Sequence, residues 1–200
     1  KKILLPLLFL TGCYTLKQAK EDDTKNKKTF VHSKYVFAMV APKENTTLNY
    51  EDSIISSTFI IGQKEIDFTI QNKTKLPLKL IWDDASIGLF GKSNRIIHSG
   101  VKFTDKNTSS PPTTILPNTI LDDLAIPTGN IYYSEGSYNT ILSYPGSWEK
   151  QNLLIPITKS NDLSRKLIGQ VITLYLPIVN KKNEKLGYSF HFKIIDVMKN

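Results

Sequence analysis

Residues 64–71 (KEIDFTIQ) alternate without a break: Ile66, Phe68 and Ile70 point one way, Glu65, Asp67 and Thr69 the other. A period of two is the signature of a strand with one buried and one wetted face, and no helix accommodates it. The same β-branched and aromatic enrichment recurs along the chain. It is seen in 29–40, ending at Pro42; in 53–61, stopping at Gly62; and in Leu76 to Trp82, where Pro77 places the strand start at an edge or bulge. Segments 86–90 and 95–103 flank Gly91-Lys92-Ser93-Asn94, which reads as a hairpin turn. Shorter strands are expected at 113–116, 119–126 and 153–158, after a loop over 104–112. Segments 170–179 and 185–197 flank Asn180-Lys181-Lys182-Asn183 as a C-terminal hairpin, and 163–168 suits one helical turn.

Many short strands with Gly and Pro punctuation predict an all-β fold, an antiparallel immunoglobulin-like β-sandwich over 29–200. The resemblance to that fold is architectural, because the Cys…Trp…Cys core of antibody domains is absent. A closed barrel produces the same alternation and is the competing arrangement. Nine Tyr, nine Phe and two Trp supply bulky core groups, and a chain of this length buries a sizeable core without disulfides.

The first residues follow other rules. Lys1 and Lys2 precede a wholly apolar run, residues 3–10 (ILLPLLFL), and Thr11-Gly12-Cys13 follows at once. A positive flank, a short apolar run and small residues before a cut have the layout of a secretory signal. The run is far shorter than the roughly 20 residues of a spanning helix, and Pro6 interrupts it. Leu10-Thr11-Gly12-Cys13 resembles the lipobox of bacterial lipoproteins. That resemblance implies cleavage before Cys13 and lipid, commonly palmitate among its chains, on the new terminal cysteine. Cys13 is the only cysteine, so no intrachain disulfide competes for it. The families that hold lipoproteins at an inner membrane tend to carry Asp after the cysteine. Tyr14 stands there instead, which favours an outer membrane. The sequence begins with Lys rather than Met, so further residues are expected ahead of it.

Residues 14–28 are polar and charged, and they read as a disordered spacer between lipid and body, roughly 20 Å long as a random coil. The organisation expected is therefore a signal peptide over 1–12, a lipidated tether over 13–28 and a β-rich body over 29–200. The formal net charge is +8 and falls by two once the signal is removed. A basic balance attracts nucleic acid, anionic lipid or acidic polymers. An exported chain without a Lys/Arg run interleaved with aromatics is not expected to meet nucleic acid.

Convergent catalytic groups are not evident, and no cofactor or metal site is expected. His32, His98 and His191 are isolated, with no metal-ligand spacing. The doublets Asp83-Asp84 and Asp122-Asp123 each send their carboxylates to opposite faces of a strand. One from each could meet at glycosidase separation, so a hydrolase of envelope polysaccharide is the alternative to a non-enzymatic module, and a structural subunit is a third. Residues 131–148 offer most for binding. Tyr132, Tyr133, Tyr138, Tyr144 and Trp148 lie among Ser, Gly and Asn, a composition that suits adaptable recognition of a protein or glycan partner. The ordinary alternative is a long loop whose rings fill a secondary core.

The middle of the chain also resembles a family of bacterial lipoproteins with no assigned activity. The resemblance is carried by Asn72-x-Thr74-x-x-Pro77, Trp82-Asp83, 97–101 (IHSGV), Pro111-Pro112-Thr113, Ile115-x-Pro117 and Leu124-x-x-Pro127. It implies an exported β-rich domain, in which Trp82 would be a core anchor needing a partner for its indole N–H.

Overall fold

The alternation in 64–71 becomes a strand in the computed structural model, in which residues 34–138, 143–157 and 163–198 are described. Cys13, His32 and the expected signal and spacer lie outside the described residues. The strands are β1 (Lys34–Ala41), β2 (Asn49–Glu51), β3 (Ile55–Ile61), β4 (Ile66–Asn72) and β5 (Leu78–Leu80). Next come β6 (Ser86–Leu89), β7 (Lys92–Ile97), β8 (Thr113–Ile115) and β9 (Ile120–Pro127). Four short strands follow: β10 (Ile131–Ser134), β11 (Ser137–Tyr138), β12 (Ser143–Tyr144) and β13 (Ser147–Lys150). The long hairpin β14 (Val171–Val179) and β15 (Lys185–Met198) completes the body. The protein is all-β; among the described residues the only helical elements are 3-10 turns, and none is long and apolar enough to cross a membrane.

One antiparallel sheet runs β1-β15-β14-β6-β7-β9-β4-β3-β2, with β5 beside both β14 and β8. The sheet curls until its inner faces meet. Ile66, Phe68 and Ile70 of β4 are buried as the alternation predicts, as are Phe190 and Phe192 of β15. Phe59 of β3 reaches across to Phe190 at 4.4 Å and Phe192 at 5.1 Å between ring centroids. Each such side chain contributes roughly 1.5–3 kcal/mol by leaving water, which makes this interior the main source of cohesion.

Asn45 nearly closes the ring. Its backbone exchanges two hydrogen bonds with Met39 of β1, at 2.8 and 3.0 Å. Its side-chain amide imitates a peptide group toward β2: Nδ2 donates to the Asn49 carbonyl at 2.9 Å and Oδ1 accepts from the Asn49 N–H at 3.3 Å. One residue thus occupies both edges of the sheet, the positions otherwise open to pairing with another chain.

Several expected boundaries move. The strand expected to run to Trp82 stops at Leu80, and Trp82–Asp84 forms a 3-10 turn before β6 resumes. Pro177 lies opposite this break. Its carbonyl accepts from Ile81 N–H at 3.0 Å, but proline has no donor to return, so the neighbouring chain is free to bulge. The β6–β7 hairpin turns at Phe90-Gly91 rather than over 91–94, with φ of 50° and 78°. A two-residue hairpin loop of this kind needs positive φ at both centres, and Gly91 takes the second without strain. β7 ends at Ile97, and the expected strand to Phe103 instead gives way to a 3-10 turn at Phe103–Asp105.

Residues 153–157 form no strand. Leu153 and Leu154 are both buried, and Leu153 N–H bonds to Gln63 O at 2.8 Å in place of a ladder partner. The stretch 131–148, for which a long loop is the ordinary expectation, is occupied by β10 to β13.

Candidate functional site

β10 pairs with β13, and β11 with β12, as two small antiparallel ladders that share no strand with the main sheet. Together they make an arm. Its base is held by Ile131, which packs with Ile97 and Ile126 into a second small core supported by Val101, Phe103 and Leu124. Gln151 N–H bonds to Asn130 O at 2.7 Å across the base, and the Lys106 ammonium donates to the carbonyls of Thr128 and Ile131. The secondary core anticipated for the loop therefore exists, but aliphatic residues and Phe103 fill it.

The five aromatic side chains singled out in the sequence lie outside that core. Tyr138 is 79% exposed, Tyr144 57%, Tyr133 53%, Tyr132 49% and Trp148 37%. Residues directly opposite in an antiparallel ladder share a face. Tyr133 faces Trp148 and shares its side of the ladder, their rings edge-on at 5.5 Å; Tyr132, opposite Glu149, lies on the other side. In the outer ladder Tyr138 is opposite Ser143 and Tyr144 opposite Ser137, so these two tyrosines also face opposite ways. The arm presents aromatic rings on both faces.

Two glycines permit the bend between the ladders. A Cβ on Gly136 would lie 2.5 Å from the Tyr144 carbonyl oxygen and 2.6 Å from Gly146 N. A Cβ on Gly146 would collide with the ring and hydroxyl of Tyr133. The backbone has to be bare at both points for the strands to cross closely and for Tyr133 to lie over them.

The return segment from the arm leads to the start of β1, where the Tyr35 hydroxyl donates to Ile155 O at 2.6 Å. Between them lies a mainly apolar crevice of about 150 Å³, lined by Tyr35, Phe37, Ile61 and Leu154 among others.

The acidic doublets take different partners. Asp83 accepts from Ser109 Oγ, from Ser110 N–H at 3.0 Å and from Arg95 at 3.2 Å. The Ser109 hydroxyl, with the Ser110 N–H and Arg95, holds its carboxyl below the usual range, the reverse of what a general acid needs. Asp84 pairs with Lys185 at 2.8 Å. Asp122 and Asp67 instead border a depression of about 340 Å³ on the outer face of β3, β4 and β9, beside Thr58, Thr69 and Ser99. Burial, and then the neighbouring Glu65 charge, raise the Asp67 carboxyl above its ordinary range.

Asp123 joins a cluster that isolated sequence positions do not suggest. His98 stacks on the Trp82 indole at 3.9 Å and 3°, with its Nδ1 3.4 Å from Asp123 Oδ2. Asp123 Oδ1 accepts from the N–H groups of Ser99 and Leu124, both at 2.8 Å. Trp82 is buried and its Nε1–H donates to Thr113 Oγ1 at 2.8 Å, the partner its sequence setting required. His191 sits 3.0 Å from Ser189 Oγ. Among the described residues, no three His, Cys, Asp or Glu side chains gather as a metal site. Set against protein-family models, curated proteins and solved structures, the chain matches none.

Proposed function

We propose that this chain is an exported bacterial lipoprotein, tethered through lipid on Cys13 to the membrane, preferentially the outer one. Its β-rich body is a non-enzymatic binding or assembly module of the cell envelope that makes contact through the arm. The observation that carries this reading is the set of five aromatic side chains left 37–79% exposed on both faces of a ladder pair that shares no strand with the main sheet. Isolated two-stranded ladders are marginal in water, and rings of this kind dominate recognition surfaces. Tyr and Trp beside Ser and Gly suit protein and glycan partners alike.

A photo-crosslinking residue in place of Tyr144, activated in intact envelopes, is expected to give one dominant adduct that the same probe at exposed Lys181 does not give. Indiscriminate or absent adducts would sink the arm as a binding element. Cys13→Ala is expected to leave the protein unlipidated and soluble; a variant still membrane-bound in high salt would remove the anchor. The immunoglobulin-like β-sandwich is the finer fold we propose, supported by two narrow seams: the two-residue β7–β9 ladder and the Asn45 bridge. Continuous pairing across both seams in an experimental structure would make it a barrel instead.

A second reading has one specific support. Asp67 and Asp122 lie diagonally on one sheet face, since Asp67 is opposite Leu124 and Asp122 opposite Thr69. A raised carboxyl beside a second one is an acid–base arrangement suited to polysaccharide hydrolysis. Release of reducing ends from cell-wall sugars, abolished by Asp67→Asn, would favour it.

A further inference from the structure

The exposed large apolar side chains are not spread evenly over the body, and strand directions show where they gather. β1 begins beside the end of β15, with Lys34 opposite Met198. The start of β14, the β6–β7 turn and the β3–β4 turn lie at that same end, as the pairings Val171–Lys193, Leu89–Ile172 and Ile61–Ile66 require. The base of the arm is there too, because Leu153 is bonded to Gln63, and Ile155 to Tyr35. This is the root end, where the chain that carries Cys13 joins the body.

All five arm aromatics stand on the arm that springs from this end. Phe90 in the β6–β7 turn, Ile155 after the arm, Leu163 and Ile168 beside β14, and Met198 closing β15 belong to the end itself, each 39–46% exposed. Ile60 and Ile195 stand one or a few residues from the same end. The opposite end exposes only Leu76, Leu116 and Ile120 from that set.

We propose that the root end is a membrane-contact surface: the arm and the apolar turns around it rest in the headgroup layer of the bilayer that holds the lipid on Cys13. This inference rests on the lipoprotein reading and names the partner of the arm as a lipid surface. Three observations converge on it. The apolar groups cluster at the end from which the tether leaves. Tyr and Trp are the side chains most at home at a membrane–water boundary, with an apolar ring and a polar handle. Aromatic groups on both faces of a slender arm fit a fluid layer that surrounds it, whereas a flat protein surface or a sugar ring would cover one face. Exposed Lys64, Lys92 and Lys166 at this end place ammonium groups where phosphates would lie.

The protein has only two tryptophans, one in the arm and one in the core, which makes the test direct. The mature lipidated chain is reconstituted into phosphatidylcholine vesicles whose lipids carry bromine high on the acyl chain, a short-range quencher. Emission from Trp148 is expected to fall by about half or more, while in Trp148→Phe the remaining Trp82 is unquenched. A reporter at the opposite end, Leu76→Trp in the Trp148→Phe background, is expected to stay bright. Replacing Phe90, Tyr138 and Tyr144 by Ser together should weaken the quenching of Trp148 without releasing the protein from the vesicles.

Anchored protein with unquenched Trp148, or with Leu76→Trp quenched as strongly, overturns the proposal. So does a protein or glycan adduct at the Tyr144 crosslinker in intact envelopes. The mass of the N-terminal peptide reads lipid on Cys13 independently. Quenched Trp148 without that lipid would refute the anchor and leave the contact standing.

Discussion

The two ends of this body are finished in opposite ways. At the end away from Lys34, short polar side chains fold back on the turn backbones and satisfy them. Asn72 is fully buried; its Nδ2 donates to Leu76 O and Ile115 O, and its Oδ1 accepts from the N–H and hydroxyl of Thr74. Asp52 collects the Ile54 and Ile55 N–H groups and the Tyr50 and Tyr188 hydroxyls. Asn180 accepts from Lys182 and Glu184 N–H in the last hairpin. That end has settled its own polar groups. The far end still exposes Leu76, Leu116 and Ile120, but the root end leaves many more aromatic and aliphatic groups in water, and that excess is what the proposed contact surface rests on.

The largest effect expected from breaking this contrast is at Asn72. Asn72→Ala strands the buried Ile115 carbonyl and takes the acceptor from the Thr74 N–H, while Leu76 O keeps its bond from Thr74 Oγ1; each buried polar group left without a partner costs about 1–3 kcal/mol. A loss of roughly 3 kcal/mol is expected in the denaturant midpoint at constant m, with the arm aromatics unaffected. A neutral result would show that the far end is wetter than its geometry implies.

Acid should loosen the same end by a second route. Burial raises the Asp52 carboxyl, but the Ile55 and Ile54 N–H groups and the Tyr188 and Tyr50 hydroxyls outweigh it and leave it below its ordinary range. A carboxyl lowered in the folded state contributes stability that is complete above its unfolded pKa of about 3.9 and is lost as pH falls through the folded value. Stability should therefore decline below about pH 4 in the native chain, and Asp52→Asn should flatten part of that slope in acid denaturation. Parallel acid curves for the two would remove Asp52 from the account. Tyr188, raised by burial and then by Asp52, stays protonated throughout this range.

What the sequence disclosed follows the same division. Alternation alone identified the inner face of β4 and the β14–β15 hairpin, because one buried face imposes a period of two wherever strands are long. The composition of 131–148 pointed to five rings that the structure leaves exposed. It misplaced their setting, since Ser, Gly and Asn read as loop whether or not the backbone pairs, and only Gly136 and Gly146 hinted at a close crossing. The turn at Phe90-Gly91 was shifted by the polar residues after it. Asn45 carried no signal at all: a side-chain amide acting as a peptide group is invisible until both strands are in place. His98 and Asp123 looked isolated because their partner, Trp82, arrives through a 3-10 turn that a run of apolar residues conceals.

The smallest effect on stability is expected where the effect on contact is greatest. Tyr138 packs against little, and exposed substitutions away from caps or strained backbone usually stay within about 0.5 kcal/mol. Tyr138→Ser together with Tyr144→Ser should therefore leave the thermal midpoint nearly unchanged while lowering the envelope crosslinking yield from a probe at Tyr132. The pairing matters. If the double variant destabilised the body as Asn72→Ala does, the rings would be structural after all, and their exposure would say nothing about a partner. If it changed neither stability nor crosslinking, the arm would be idle, and the contrast between the two ends would have no functional meaning. Only unchanged stability with lost contact fits rings kept uncovered for a surface outside the protein.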